Sequence, residues 1–230
     1  MKLKIALVLC AGYGKRLKPL TLKKPKPLIS VKNINLLQNT LNLLKLLDIE
    51  KIKINTFYLE KQIIDFVSKN EMNAKIEIVK DGDKILNTGG GILNLMKSSD
   101  ENNFIVFNPD TIWSSDHAKE INDMIRFYKN NSLNNLLLVV NKNKSFDKRF
   151  KGDFELKEQK LLKQKKNNFI FTGCQIINKK VFENNKEKYF SISKIWDQKI
   201  KDKTLFGYES KLPFIHLTDM EIYNRLIKNN

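Results

Sequence analysis

Two short stretches near the start of the chain carry the residue types that phosphate chemistry needs. An apolar run, Ile5 to Cys10, empties into Ala11-Gly12-Tyr13-Gly14-Lys15-Arg16, and Pro25-Lys26-Pro27 follows a little further on. Glycine lets the backbone come close to a ligand, and free N–H groups at a turn or helix start favour anions. Cations behind such a turn can neutralise a polyphosphate. A strand followed by Gly-x-Gly also serves as an ordinary turn in α/β proteins. Two familiar phosphate motifs are missing: Gly12 and Gly14 lack the continuation of a P-loop, and no third glycine stands near Leu17 as a dinucleotide fingerprint requires.

Three further groups invite a chemical reading. Thr88-Gly89-Gly90-Gly91 leads into a helix expected from Ile92, where glycines serve either a flexible turn or a close backbone approach to a flat ligand. Asp110 follows the apolar run Asn103–Phe107. An Asp there is either a turn or cap residue or a hard oxygen ligand for a cation. His216 ends a short apolar stretch near the C-terminus, where a lone imidazole by default ligates nothing. Asp219, just before Met220, reads as a helix cap.

Positioning these groups requires a scaffold, and the periodicity supplies one. Strands are expected over Lys4–Cys10, Lys51–Asn55, Lys75–Val79, Asn103–Phe107 and Leu136–Asn141, alternating with helices over Leu36–Leu47, Glu60–Ser68, Ile92–Met96 and Ala118–Tyr128. This alternation predicts an α/β, Rossmann-like, mainly parallel sheet with helices on both faces. Beyond Lys151 the pattern changes to short strands, Asp153–Leu156 and Phe169–Ile177 with an antiparallel look, then a helix over Ile192–Ile200. Strands over Leu205–Tyr208 and Pro213–Leu217 precede a final helix over Met220–Ile227. One domain over residues 1–230 is expected, in two halves (1–141 and 142–230) that meet where the pattern changes; under the family resemblance set out below, the first would bind the nucleotide and the second the sugar. In open α/β sheets, ligands bind at the carboxyl ends of the strands, which selects the loops holding Gly12, Thr56, Asp81 and Asp110.

The formal net charge is +17, yet only four of the 42 cations are arginine. Arginine is the usual reader of nucleic-acid phosphates and bases, so no specific nucleic-acid partner is expected. Lys157 to Lys166 reads as a solvated face. No apolar run has the length of a membrane span. Cys10 and Cys174 sit in separate apolar runs and read as small buried residues of a reducing compartment, which points to the cytoplasm.

Taken as a string, the N-terminal region resembles the L-A-A-G-x-G-x-R-(x)-x-P-L-T-x-x-x-P-K-P-L signature of sugar-1-phosphate nucleotidylyltransferases. It matches at Leu9, Ala11, Gly12, Gly14, Arg16, Pro19, Leu20, Thr21, Pro25, Lys26, Pro27 and Leu28, with Cys10 replacing a small residue. Leu86-Asn87-Thr88-Gly89-Gly90-Gly91-Ile92 resembles the L-E-T-G-G-G-I loop of the branch that includes N-acetylmuramate-1-phosphate uridylyltransferase, with Asn87 for Glu. Asn108-Pro109-Asp110-Thr111-Ile112-Trp113 resembles the family's N-G-D-x-W, with Pro109 for Gly. Lys151-Gly152-Asp153-Phe154 and Phe171-Thr172-Gly173-Cys174 are similar to G-D-F and F-[ST]-G-I elements of the same branch. The second metal-binding Asp of the family's C-terminal W-x-D-x-G-T element falls on His216.

This resemblance implies a nucleotide-diphospho-sugar transferase (GT-A-like) fold and transfer of a nucleotidyl group from an NTP to a sugar 1-phosphate, with release of pyrophosphate. UTP with N-acetylmuramate 1-phosphate is the expected pair, and mannose 1-phosphate with GTP is the alternative, beside a catalytically weak relative that binds nucleotide sugars. The implied catalytic residues are Arg16 on the departing phosphates, Lys26 between the α-phosphate and the sugar phosphate, and Asp110 on Mg²⁺. Ala11, Gly12, Tyr13, Gly14, Lys15, Thr88, Gly89 and Gly90 are assigned to the nucleotide, and Asn55, Asp153, Thr172 and Gly173 to the sugar. Asp110 and His216 are assigned to the metal, with Mn²⁺ the ion better suited to imidazole. A monomer or small homo-oligomer is expected.

Overall fold

The computed structural model describes residues 3–70 and 72–228. Strand β1 (Ile5–Leu9) leads through a short helix α1 (Leu20–Lys23) and a small hairpin, β2 (Ser30–Val31) with β3 (Ile34–Asn35), into α2 (Leu36–Lys45). Then follow β4 (Lys51–Thr56), α3 (Glu60–Ser68), β5 (Lys75–Lys80), α4 (Asn87–Met96) and β6 (Asn103–Phe107). After β7 (Thr111–Ile112) come α5 (Asp116–Asn130), β8 (Asn135–Asn141), β9 (Glu155–Lys157), β10 (Lys160–Leu162) and β11 (Phe169–Asn178). The last elements are α6 (Ser193–Lys201), β12 (Gly207–Ser210), β13 (Ile215–His216) and α7 (Met220–Lys228).

Seven strands form the central sheet in the order β12-β8-β11-β6-β1-β4-β5. Every neighbouring pair is parallel except the two made by β11, which runs against β6 and β8. The sheet is therefore mixed and mainly parallel, and it extends without interruption from the N-terminal strands to β11 and β12. Alternate residues of the inner strands feed two cores. Ala6, Val8, Ile105 and Phe107 pack with Leu37 and Leu41 of α2 and with Ile121 and Met124 of α5. Ile5, Leu7, Phe104 and Val106 pack on the other face with Ile92, Leu95 and Met96 of α4. Apolar side chains on both faces are what a strand covered by helices on both sides requires.

The expected strands and helices of the first half recur within a few residues, except that α4 begins at Asn87 rather than Ile92. Glycine disfavours helix interiors, so the triplet reads as a preceding loop. Here it lies inside the helix because the neighbouring chain leaves no room for side chains. A Cβ on Gly89 would stand 2.3 Å from the Phe190 ring, one on Gly90 2.2 Å from the Lys188 carbonyl oxygen, and one on Gly91 2.8 Å from Asn55 Nδ2. In the second half, the strand expected at Asp153–Leu156 is displaced to β9, and that at Pro213–Leu217 shortens to β13. The stretch expected at Leu205–Tyr208 becomes β12, parallel to β8.

Candidate active site

Asp110 is the point on which three segments converge. It follows β6, and the adjoining β7 pairs antiparallel with β13, Thr111 opposite His216 and Ile112 opposite Ile215. Leu217 N donates to the Asp110 carbonyl at 2.8 Å, which sets the His216 ring beside the carboxylate. His216 Nε2 lies 3.2 Å from Asp110 Oδ2, and Lys26 Nζ donates to the same oxygen at 2.7 Å. Burial raises the Asp110 carboxyl, but the Lys26 ammonium and the His216 imidazole outweigh it and hold the group well below the usual carboxylate range. Asp110 is therefore ionised at neutral pH.

The turn carrying Asp110 is fixed from several sides. Asn39 of α2 donates through Nδ2 to the Trp113 carbonyl and accepts from Trp113 N, at 2.9 and 2.7 Å. Asn108 N donates to the Gly173 carbonyl at 2.8 Å, and Thr111 Oγ1 to the Thr172 carbonyl at 2.5 Å. Both acceptors lie where the register of β11 against β8 shifts, between Phe171 and Gln175. Gly173 adopts φ +91 there, a conformation that favours glycine. The His216 ring is set by a hydrogen bond between Nδ1 and Thr218 Oγ1 (3.0 Å) and by the Phe150 and Phe214 rings, each 5.9 Å away.

Two cavities meet at Asp110. The first, about 270 Å³, is lined by Leu9 to Gly12 and Gly14, with Lys26, Asn55, Asp81, Asn87, Thr88 and Asn108–Asp110. The second, about 210 Å³, is lined by Asn108, Asp110, Phe150, Asp153, Phe171, Gly173, Trp196 and His216, among others. Beside them, Gly14, Lys15, Arg16, Lys26 and Thr218 surround a small basic recess of about 230 Å³. Gly14 has φ +61, and a Cβ there would stand 2.8 Å from Thr21 Cγ2 and 3.0 Å from Lys26 Cβ. The tight turn thus brings Lys26 under the glycine loop.

Several sequence expectations fall elsewhere than assigned. Gly89 and Gly90 are buried, and both backbone N–H groups donate to the Phe190 carbonyl, at 3.0 and 3.2 Å. Their amides are thus already engaged within the protein, and only Asn87 and Thr88 of that loop line the first cavity. Asn55 also lines the first cavity rather than the Asp153 cavity. It accepts from Cys10 N at 2.9 Å and donates to Asp81 Oδ1 at 3.1 Å, bracing β1, β4 and the loop after β5. Burial pushes the Asp81 carboxyl up, against the Asn55 and Leu86 hydrogen bonds that favour its charged form. Thr172 is buried, and its hydroxyl donates to the Leu138 carbonyl at 2.9 Å, away from either cavity. Tyr13 lines neither cavity and packs on Phe57 and Tyr58, with the Lys15 ammonium 5.5 Å from its ring centre. Asp153 does line the second cavity, where its Oδ2 accepts from Phe171 N at 2.9 Å.

Asn39, Phe150 and Trp196 escape the sequence reading, whereas Asn108 enters it as the first residue of the stretch that resembles N-G-D-x-W. Asn39 sits on an amphipathic helix among asparagines. Phe150 and Trp196 occupy apolar positions that core packing also fills.

The Asp110 carboxylate suits a divalent cation. Its Oδ1 is buried and has no hydrogen-bond partner, a hard oxygen left over after Oδ2 has received Lys26 and His216. Among the described residues no group of three or more His, Cys, Asp or Glu is arranged as a metal site. An ion held by Asp110 would therefore take most of its ligands from phosphate oxygens and water, as Mg²⁺ commonly does.

The chain belongs to the nucleotidyl transferase family, whose model matches residues 5–208. Its class is that of the sugar-1-phosphate nucleotidylyltransferases, as the relatives show. It is 24% identical to N-acetylmuramate alpha-1-phosphate uridylyltransferase of Caulobacter vibrioides over 94% of this chain and 92% of that protein. It is 30% identical to mannose-1-phosphate guanylyltransferase of Mycobacterium tuberculosis over 59% of this chain, and the match spans 36% of that protein. The fold matches that of UDP-glucose pyrophosphorylase in complex with UDP-glucose, with a TM-score of 0.78, 18% identity, and coverage of 99% and 98% of the two chains. Among the described residues no helix is long and apolar enough to cross a membrane.

Proposed function

We propose that this enzyme joins UTP to N-acetylmuramate 1-phosphate, forming the UDP-sugar and pyrophosphate. The observation that carries the reading is the position of Asp110, ionised and paired with Lys26, on the shared wall of two cavities. Nucleotidyl transfer needs such a junction, because the reacting phosphorus lies between nucleotide and sugar. The first cavity would take the nucleoside and the second the sugar, so residues 1–141 act mainly as the nucleotide half and 142–230 as the sugar half. The near-complete overlap with the Caulobacter uridylyltransferase supports the substrate pair.

In this mechanism an oxygen of the sugar phosphate attacks the α-phosphorus of the NTP. The new P–O bond forms as the bond to the β-phosphate oxygen breaks, and pyrophosphate leaves. No nucleophile of the protein is required. Backbone N–H groups of Ala11 to Gly14 face the nucleotide phosphates, and Arg16 and Lys15 hold the leaving pyrophosphate in the basic recess. Lys26 lines both the recess and the first cavity, and offsets charge on the α-phosphate and the incoming sugar phosphate. Asp110, with His216 beside it, would hold a divalent ion that neutralises the triphosphate when bound. Buried Cys10, whose thiol is pushed up by burial and by the Asp110 charge, stays protonated and plays no part as a nucleophile.

Pyrophosphate release from purified protein tests this reading. UTP, GTP, CTP, ATP and dTTP are paired with the 1-phosphates of N-acetylmuramate, mannose, glucose and N-acetylglucosamine, under Mg²⁺ and Mn²⁺. Turnover confined to UTP with N-acetylmuramate 1-phosphate is the expected result. GTP with mannose 1-phosphate would redirect the assignment toward the guanylyltransferases. Nucleotide binding without turnover would favour a non-catalytic nucleotide-sugar binder, the reading that the imidazole at His216 supports.

A further inference from the structure

A large cationic cleft adjoins the second cavity. It encloses about 690 Å³, and among its lining residues are Lys142, Lys148, Arg149, Lys151, Lys165 and Lys166, with no carboxylate. Arg149 is neutralised from behind by Asp147, Asp219 and Glu221. The lysines are not. Among the described residues Lys142 and Lys148 donate only to carbonyl oxygens, of Asn167 at 3.1 Å and Asn143 at 2.8 Å. Lys151, Lys165 and Lys166 are exposed.

The wall is held in place. Lys142 N donates to the Asn168 carbonyl and Phe146 N to the Phe214 carbonyl, both at 2.8 Å, tying the loop after β8 to the strands around it. Five ammonium groups collected on such a surface repel one another unless an anion sits among them. Phe150 lines this cleft and also the cavity holding Asp153, Asp110 and His216, so the two spaces adjoin at that ring. An anion in the cleft is therefore within reach of a molecule seated in the second cavity.

We propose that the cleft receives a second anionic group carried by the sugar 1-phosphate, so that the preferred sugar substrates are acidic: carboxylated or doubly phosphorylated. This rests on the nucleotidyl-transfer reading, and it separates the two substrate arms, since an N-acetylmuramyl group bears a carboxylate and mannose bears none.

Calorimetric titration with glucose 1-phosphate and glucose 1,6-bisphosphate tests the proposal without requiring turnover. The wild-type protein should bind the bisphosphate at least about ten-fold more tightly, as charge-assisted contacts would give. The triple variant Lys151→Gln, Lys165→Gln, Lys166→Gln should lose that preference. A charge-matched control, Lys45→Gln, Lys61→Gln, Lys69→Gln, removes three exposed lysines from the nucleotide half and should keep it. Equal affinity of the wild type for the two sugars overturns the proposal. So does an equal loss in both triple variants, which would reduce the effect to net charge, or a cleft that takes inorganic polyphosphate while the sugar preference stays intact. Pyrophosphate release in the substrate matrix judges nucleotidyl transfer separately: turnover with no preference for acidic sugars sinks this proposal alone, whereas silence across the matrix sinks the reaction.

Discussion

His216 Nε2 and Asp110 Oδ2 stand 3.2 Å apart, brought together by a two-residue ribbon between β7 and β13. An imidazole thus occupies the place beside the carboxylate where the family resemblance leads one to expect a second Asp. Imidazole accepts Mn²⁺ more readily than Mg²⁺. Turnover should therefore be higher with Mn²⁺, and His216→Asp should move the preference to Mg²⁺ by about ten-fold or more in relative kcat/KM. Rates measured in both ions for both proteins decide this, and an unchanged ion preference in the variant would remove His216 from the metal's surroundings.

Lys26 contributes one of the shortest polar contacts of the site, 2.7 Å to Asp110. If it stabilises charge in the transition state by about 3 kcal/mol, Lys26→Ala should lower kcat by roughly 100-fold or more. Arg16→Ala should give a loss of similar size, since Arg16 lines the adjoining recess. Steady-state pyrophosphate release is the measurement, and near-normal turnover in Lys26→Ala would be incompatible with the mechanism.

The glycines of the two loops make opposite predictions. A Cβ on Gly12 meets nothing within 4 Å, whereas one on Gly90 meets the Lys188 carbonyl at 2.2 Å. Gly12→Ala should leave the melting temperature unchanged and weaken nucleotide binding, because the methyl would project toward the first cavity that Gly12 lines. Gly90→Ala should destabilise the fold by about 2 kcal/mol through overpacking. Thermal melts with and without nucleotide separate the two effects.

Asp147 gives the protein an acid-sensitive contact behind the cationic cleft. Hydrogen bonds from Arg149 hold its carboxyl down to about 2, in spite of burial. A carboxyl lowered in the folded state stabilises at pH values above its ordinary range, and that contribution fades as pH falls from about 4 toward 2. Because the Arg149 side chain is 43% exposed, solvent screening keeps this contribution small. Urea denaturation should find Asp147→Asn less stable than wild type at pH 7, with the gap narrowing as pH falls from about 4 and gone near about 2.

Much of this arrangement is legible from residue order, for reasons that differ by region. The inner strands are apolar on both faces, so Ile5–Leu9 and Asn103–Phe107 announce themselves, and the turns that follow them hold Gly12 and Asp110. Gly89 and Gly90 mislead because glycine signals a loop, while here it admits the Phe190 ring and the Lys188 carbonyl into the side of α4. Asn55 and Thr172 mislead in another way: their side chains satisfy buried backbone groups of Cys10 and Leu138, a role that depends on which strands neighbour each other. Phe150 and Trp196 line the second cavity, yet in sequence they are indistinguishable from core aromatics.

The β7–β13 ribbon also bears on the order in which a nascent chain acquires its parts. Every residue lining the first cavity lies between Leu9 and Asp110, whereas the second draws on residues from Asn108 to His216. During synthesis the ribosome releases the lining of the nucleotide cavity long before His216 emerges. The pairing of Ile215 and His216 with Thr111 and Ile112 joins segments about a hundred residues apart, so the surroundings of Asp110 are complete only once the chain up to His216 has emerged.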